Sequence, residues 1–99
     1  MFGPRPAGFW SGHHLSAKHQ ILTAGLRYRV VKEFADFDQD RHPIGEEWVF
    51  LGYAFSPYED GMSFFVSLDG TQEWQIRLQW RREQQAAVLD TPHEYLQPI

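Results

Sequence analysis

The stretch Asp36-Phe37-Asp38-Gln39-Asp40-Arg41-His42-Pro43-Ile44-Gly45-Glu46-Glu47 holds the densest set of side chains able to do chemistry. Asp36, Asp38 and Asp40 fall at the first, third and fifth places of a calcium-loop spacing and Glu47 at the twelfth, where alternating carboxylates and a terminal glutamate supply oxygen ligands. The sixth place, which needs glycine for the sharp turn, is Arg41, and Pro43 at the eighth removes a backbone donor. No helices are expected to flank the stretch, because Glu47 begins a strand. It therefore reads first as a solvated acidic loop, with Asp36, Asp38, Asp40 and Glu47 as the candidate set for a divalent cation.

Other candidates are weaker. His13, His14 and His19 could bind a metal through imidazole, but they lie in a segment without an acidic neighbour to orient them. His42 and His93 read as polar surface residues. Arg27, Arg29 and Arg77 are expected on the wet faces of strands, where they either gather as an anion patch or pair across strands with Glu46, Glu47 or Glu73. There is no nucleophile elbow, phosphate loop or zinc signature. Nothing calls for a cofactor, and a domain of this size has little room for the concave, dry pocket that catalysis uses. The expectation is a protein that is not an enzyme.

The elements that must position these groups are short. Ninety-nine residues make one domain. Its small core is compensated by 16% aromatic residues, each of which removes about 150–250 Å² from water when buried. There is no cysteine, so disulfides and thiolate metal sites are excluded. No apolar run reaches the ~20 residues of a membrane helix, and the start of the chain lacks the apolar core of a secretory signal; a cytoplasmic location is the default expectation. The net charge is −4 and uneven. Arg5, Lys18, Arg27, Arg29 and Lys32 precede any acid, whereas residues 33–73 are acidic apart from Arg41. An acidic middle weighs against nucleic acid as a partner.

Residues 1–22 read as a flexible arm, rich in Gly, Pro, Ser and His but carrying the anchors Phe2, Phe9 and Trp10. Residues 23–99 read as the folded domain. Four strands are predicted, at Gly25–Phe34, within Gly45–Phe55, at Met62–Leu68 and at Glu73–Trp80, joined by the turn signals Ser56-Pro57-Tyr58-Glu59-Asp60-Gly61 and Asp69-Gly70. Arg81–Leu89 reads as a short helix, and Thr91-Pro92-His93-Glu94 as a compact helix start. The predicted fold is mainly β: a small antiparallel SH3-like barrel or curled meander with a short C-terminal helical segment. Its interior set is Leu26, Tyr28, Val30, Trp48, Phe50, Phe64, Val66, Trp74, Ile76 and Leu78.

The second strand organises the rest, because both of its faces are apolar. With Trp48 and Phe50 inside, Val49, Leu51, Tyr53 and Phe55 fall on the reverse face beside Phe65 and Val31. A contiguous apolar face of this kind marks a contact. The candidate partner-binding residues are therefore Val49, Leu51, Tyr53, Phe55, Tyr58, Phe65 and Tyr95. The expected partner is another protein or a second copy of the chain, with the arm exchanged between subunits, and not a membrane.

Two resemblances add to this. The order of strand, acidic loop, Gly-Glu, strand and hairpin, with the tail Val88 to Ile99, resembles SH3-like barrels; that likeness implies a groove lined by Pro92 and Tyr95, although Met62-Ser63 stands where those domains place a tryptophan. Tyr28 to Phe34, Asp36-Phe37-Asp38, Gly45-Glu46, Phe50-Leu51-Gly52, Pro57-Tyr58, Asp60-Gly61 and Ile76 to Trp80 together resemble the small bacterial family catalogued as domain of unknown function 3601, over roughly Gly25 to Tyr95. That resemblance implies no activity. Three functions follow: a protein-interaction module using the apolar reverse face, a divalent-cation binder using the acidic loop, or an acidic inhibitor or immunity-type protein presenting Asp36, Asp38, Asp40, Glu59 and Asp60 to a basic enzyme.

Overall fold

The computed structural model describes residues 1–56 and 60–99. Its centre is a meander of β4 (Arg27–Val30), β7 (Glu47–Ser56), β8 (Gly61–Ser67) and β9 (Gln72–Gln79). Every neighbouring pair is antiparallel. β1 (Phe2–Pro6) adds to the outer edge of β9, and β10 (Leu96–Pro98) to the outer edge of β4. The sheet order is β1-β9-β8-β7-β4-β10, and its ends do not meet. The sheet is thus a curled meander and not a closed barrel.

The predicted strands fall where their alternation placed them, with one exception. The first ends at Val30, and the chain resumes in a small hairpin of β5 (Phe34–Ala35) and β6 (Arg41–His42) that carries the acidic loop. The turn at Asp69-Gly70 forms as its residues require. Gly70 takes φ +83°, and Asp69 Oδ1 accepts the N–H groups of Thr71 and Gln72 at 2.9 and 2.8 Å.

Tyr28, Val30, Trp48, Phe50, Phe64, Val66, Ile76 and Leu78 form the core on the sheet's inner face, an upper-limit stabilisation of about 1.5–3 kcal/mol for each fully buried side chain. Of the expected interior set, Trp74 is half-buried and Leu26 is half exposed. Leu26 lies just before β4, where the backbone bonds Phe50 and not a strand partner facing inward. Helix α1 (Glu83–Asp90) lies over β9 and β5 and buries Gln85, Val88 and Leu89. A 3₁₀ turn at Pro92–Glu94 then returns the chain to β10. Thr91 does not cap that turn; its hydroxyl bonds Ala87 O and the Glu94 carboxylate instead.

Within the segment read as an arm, residues 2–6 are β1, and Lys18–His19 (β2) pairs with Leu22–Thr23 (β3). Leu22 is fully buried. The buried Tyr28 hydroxyl holds this hairpin by donating to Ile21 O at 2.6 Å and accepting from Thr23 N–H at 2.8 Å.

Candidate functional site

The acidic loop does not assemble a cation site. Asp36 turns inward and is fully buried; its Oδ2 bonds His42 Nε2 at 2.8 Å and its Oδ1 accepts the N–H groups of Asp38 and Asp40. Asp38 forms an ion pair with Arg77. Asp40 contacts the Met1 amino group, which also lies 3.1 Å from Asp36 Oδ2. Glu47 lies on β7, where it takes Arg29 at 2.9 Å and Arg27 at 3.4 Å. Each of the four carboxylates thus has a cationic or imidazole partner, Asp36 and Asp40 sharing the Met1 amine, and the four do not converge on one point. Among the described residues no group of three or more His, Asp or Glu side chains is placed to hold a metal. The cation reading draws no support from this geometry, because the β5–β6 pairing draws the loop into a hairpin and not a ligand ring.

What the loop builds instead is a buried polar relay. His42 is fully buried between two carboxylates, with Nδ1 2.6 Å from Glu46 Oε2, which also accepts Trp48 Nε1 at 3.2 Å. The Phe34 ring stacks on the imidazole at 4.7 Å. Burial alone would push the His42 pKa down, but its bonds to Asp36 and Glu46 outweigh burial and raise it. Burial would likewise raise Asp36, yet His42 and the neighbouring amine hold it below the ordinary carboxylate value. The surface reading of His42 is therefore corrected. With no solvent access and both ring nitrogens engaged, the relay ties the loop to the sheet.

The expected apolar reverse face is also different. A β-bulge interrupts the β7–β8 ladder between Phe50 and Gly52. Gly52 sits there at φ +142°, a conformation that favours glycine, and a Cβ would meet Leu15 Cβ at 2.8 Å and Ser16 O at 3.0 Å. The extra residue shifts the alternation. Tyr53 pairs with Phe64 and Phe55 with Met62, so both belong to the inner face with their partners. The reverse face keeps Val49, Ala54, Ser63, Phe65 and Ser67 from these strands and Glu73, Gln75 and Arg77 from β9.

The chain covers much of that face itself. Phe65 is 4% exposed, and Trp10 lies 5.4 Å from it. Glu73 is 3% exposed and is wrapped by the turn after β1: Gly8, Trp10 and Ser11 donate backbone N–H groups at 2.7, 2.9 and 3.0 Å, and the Ser11 hydroxyl adds a fourth bond. These donors hold its carboxyl below the ordinary range although burial would raise it. Arg77 is sandwiched between Phe2 at 4.6 Å and Phe37 at 5.2 Å. The three arginines therefore pair with carboxylates, Arg27 and Arg29 as cross-strand geometry allows and Arg77 with the loop.

Of the expected contact residues, Phe65 and Tyr95 are buried and offer no surface; Tyr95 packs edge-on to Phe34 beneath the Lys32 ammonium. Pro92 is buried too, so the SH3-type groove does not form. Val49 and Leu51 are half-buried. Tyr58 and Glu59 lie outside the described residues. Tyr53 and Phe55 remain, and they converge at the far end of β7.

That end is open. β7 is covered on its outer edge by β4 as far as Val49, then by Gly25 and Leu26 at Phe50, and last by Ser16, which exchanges two 2.9 Å backbone bonds with Tyr53. The ladder turns the N–H and C=O of Phe55 to the same edge, where no described residue meets them. Phe55 is 61% exposed, its ring stacked with Trp80 at 6.1 Å and 21° and edge-on to Tyr53 at 5.6 Å. Tyr53 in turn touches the His19 ring at 5.5 Å. Trp80 is fixed by its indole N–H bond to Asp90 Oδ1 at 3.0 Å. Trp80 and His19 were missed as members of this site. The interior Gly52 in an apolar strand was the available signal that the faces would exchange.

The family described as domain of unknown function DUF3601 matches residues 16–99. An integron cassette protein from the mobile metagenome of Vibrio cholerae is similar in structure, with a TM-score of 0.78 and 32% identity; the match covers 86% of this chain and 93% of that one. No curated protein matches the chain.

Proposed function

The chain belongs to the DUF3601 family, whose description assigns no activity, and on that premise we propose that it is a protein-contact module working through the open end of β7. The observation that supports this is Phe55, which is 61% exposed on a strand edge whose donor and acceptor meet no described residue. An exposed strand edge is a template for pairing unless it is blunted by charge, proline or a covering loop. Tyr53, Phe55 and Trp80 supply the side-chain anchors, and aromatic anchors dominate contacts of this kind.

The partner that fits best is a second copy. Two antiparallel edges complement each other about a two-fold axis, so one patch serves both subunits. The unused edge is short, so the association belongs to the weak class that buries under about 1,200 Å². Sedimentation velocity from about 10 μM to 1 mM, a span set by weak affinities of this order, tests it. The wild type is expected to move to a dimer with rising concentration, and Phe55→Lys to stay folded and monomeric throughout. A wild type monomeric throughout, or a Phe55→Lys chain that dimerises equally, defeats the proposal. The acidic-inhibitor reading draws no support from the loop, since Asp36, Asp38 and Asp40 are engaged within the chain. Among the described residues no helix is long and apolar enough to cross a membrane.

A further inference from the structure

The turn at Gly8–Ser11 and its contact with Glu73 form a complete recognition unit. An almost fully buried carboxylate receives three N–H groups and one hydroxyl from Gly8, Trp10 and Ser11, three residues of one four-residue turn. β1 pairs with β9 through Phe2, Arg5 and Pro6, and Trp10 covers Phe65. The turn is shaped by its own bonds, Phe9 N to Pro6 O and Gly12 N to Gly8 O, and these travel with it. Every residue of β1 is exposed, so the segment lies on the domain and is not threaded through it.

We propose that this surface is an acceptor site for an extended segment ending in a Gly-aromatic-Ser turn, and that a second copy's residues 2–11 can occupy it in place of the chain's own. Three observations carry this. The acceptor groups Phe65, Glu73 and Gln75 lie within the family domain, whereas the occupant precedes residue 16, where the family match begins. The connection through Gly12, His13 and His14 is exposed, and among the described residues its backbone bonds run only back to Gly8 and Trp10. Ser16, just beyond, is pinned to Tyr53, so the hinge is confined to those few residues. Exchange conserves every contact and changes only which chain supplies the arm. A short tether gives the chain's own arm an effective concentration of about millimolar, so the closed monomer prevails in dilute solution and exchange competes near that concentration. The site is separate from the β7 edge, and Phe55→Lys leaves it intact.

The test uses the full chain, which has no cysteine of its own. Pro6 and Gln72 are exposed cross-strand partners. One preparation carries Pro6→Cys and the other Gln72→Cys; they are unfolded, mixed, refolded together at about 1 mM and at about 10 μM, bracketing the effective concentration, and joined with a short bis-maleimide. The expected result is a linked heterodimer that is abundant at the higher concentration and scarce at the lower. Deleting His13 and His14, which denies the arm its own site, is expected to give the linked heterodimer at the lower concentration as well. Adding Glu73→Ala to the Gln72→Cys chain is expected to remove the link. A heterodimer yield no higher than that of two Gln72→Cys chains overturns the proposal. So does a hinge-deleted chain that folds as an unlinked monomer with Trp10 released to water. Should the deletion prevent folding, the refolded mixture of unshortened chains decides alone.

Discussion

Removing the Asp36 carboxylate should be the most damaging single change outside the apolar core. Asp36 and His42 are both fully buried, and the carboxylate serves His42 Nε2 at 2.8 Å and the N–H groups of Asp38 and Asp40 at 2.9 and 3.1 Å. Asp36→Ala leaves an imidazole held between Glu46 and an apolar hole, with two backbone donors unpaired. Breaking one partner of a buried pair costs about 3–5 kcal/mol, a large share of the ~5–15 kcal/mol that holds a domain folded. At about 4 °C per kcal/mol, the low end for a domain of this size, the melting temperature should fall by at least about 12 °C. Urea unfolding and calorimetry on Asp36→Ala measure this directly, with Glu33→Gln as the control. That change breaks only the exposed 3.2 Å pair with Arg41, which is expected to be worth under about 1 kcal/mol. A loss below about 1 kcal/mol for Asp36→Ala would falsify the claim that the relay fixes the acidic loop.

Further consequences can be measured on the same scale. His42 is raised above its ordinary 6.5, so its contribution is whole below that pH and fades as pH climbs through the raised value. Asp36 is lowered from 3.8, so its contribution is whole above that value and fades in acid. Melting temperature should therefore peak between the two, and His42→Gln should flatten the alkaline limb; an unchanged alkaline limb in that variant refutes the assignment. Gly52→Ala must place a Cβ 2.8 Å from Leu15 in a left-handed backbone, at a cost of about 1–3 kcal/mol; a urea midpoint equal to wild type would mean the bulge is not constrained. Glu73→Ala should free the turn at Gly8–Ser11 and leave the inner core intact. Trp10 emission should then shift to the red while the far-ultraviolet spectrum changes little; loss of the whole fold instead would show that the arm is integral.

Much of the fold was legible because period-two alternation survives wherever a strand has one wet face. β8 and β9 were bounded within a residue or so, and eight of the ten interior residues expected for the sheet lie in its core. The reverse face was misread at one place. A strict count through Phe50, Leu51 and Gly52 sends Tyr53 and Phe55 outward, but a glycine at φ +142° absorbs one residue and returns them inward. The acidic loop was misread for a related reason. Ligand spacing describes positions along a chain, whereas the β5–β6 pairing turned Asp36 into the core and left Asp38 facing Arg77. Glu73 was invisible as an anchor because three of its four partners are backbone N–H groups, which no side-chain pattern encodes. The proposed contact site is accordingly smaller than the face expected from the sequence: a strand end and three rings, not a sheet face.

The most direct measurement is amide hydrogen exchange at Phe55, followed by NMR as the full chain is concentrated. An edge N–H that pairs with a second copy should exchange more slowly as dimer accumulates, together with shifts in the Tyr53 and Trp80 rings, and Phe55→Lys should abolish those ring shifts. Exchange at Phe55 that stays as fast at high concentration as at low, while the oligomer forms elsewhere or not at all, contradicts the assignment of the β7 edge as the contact site.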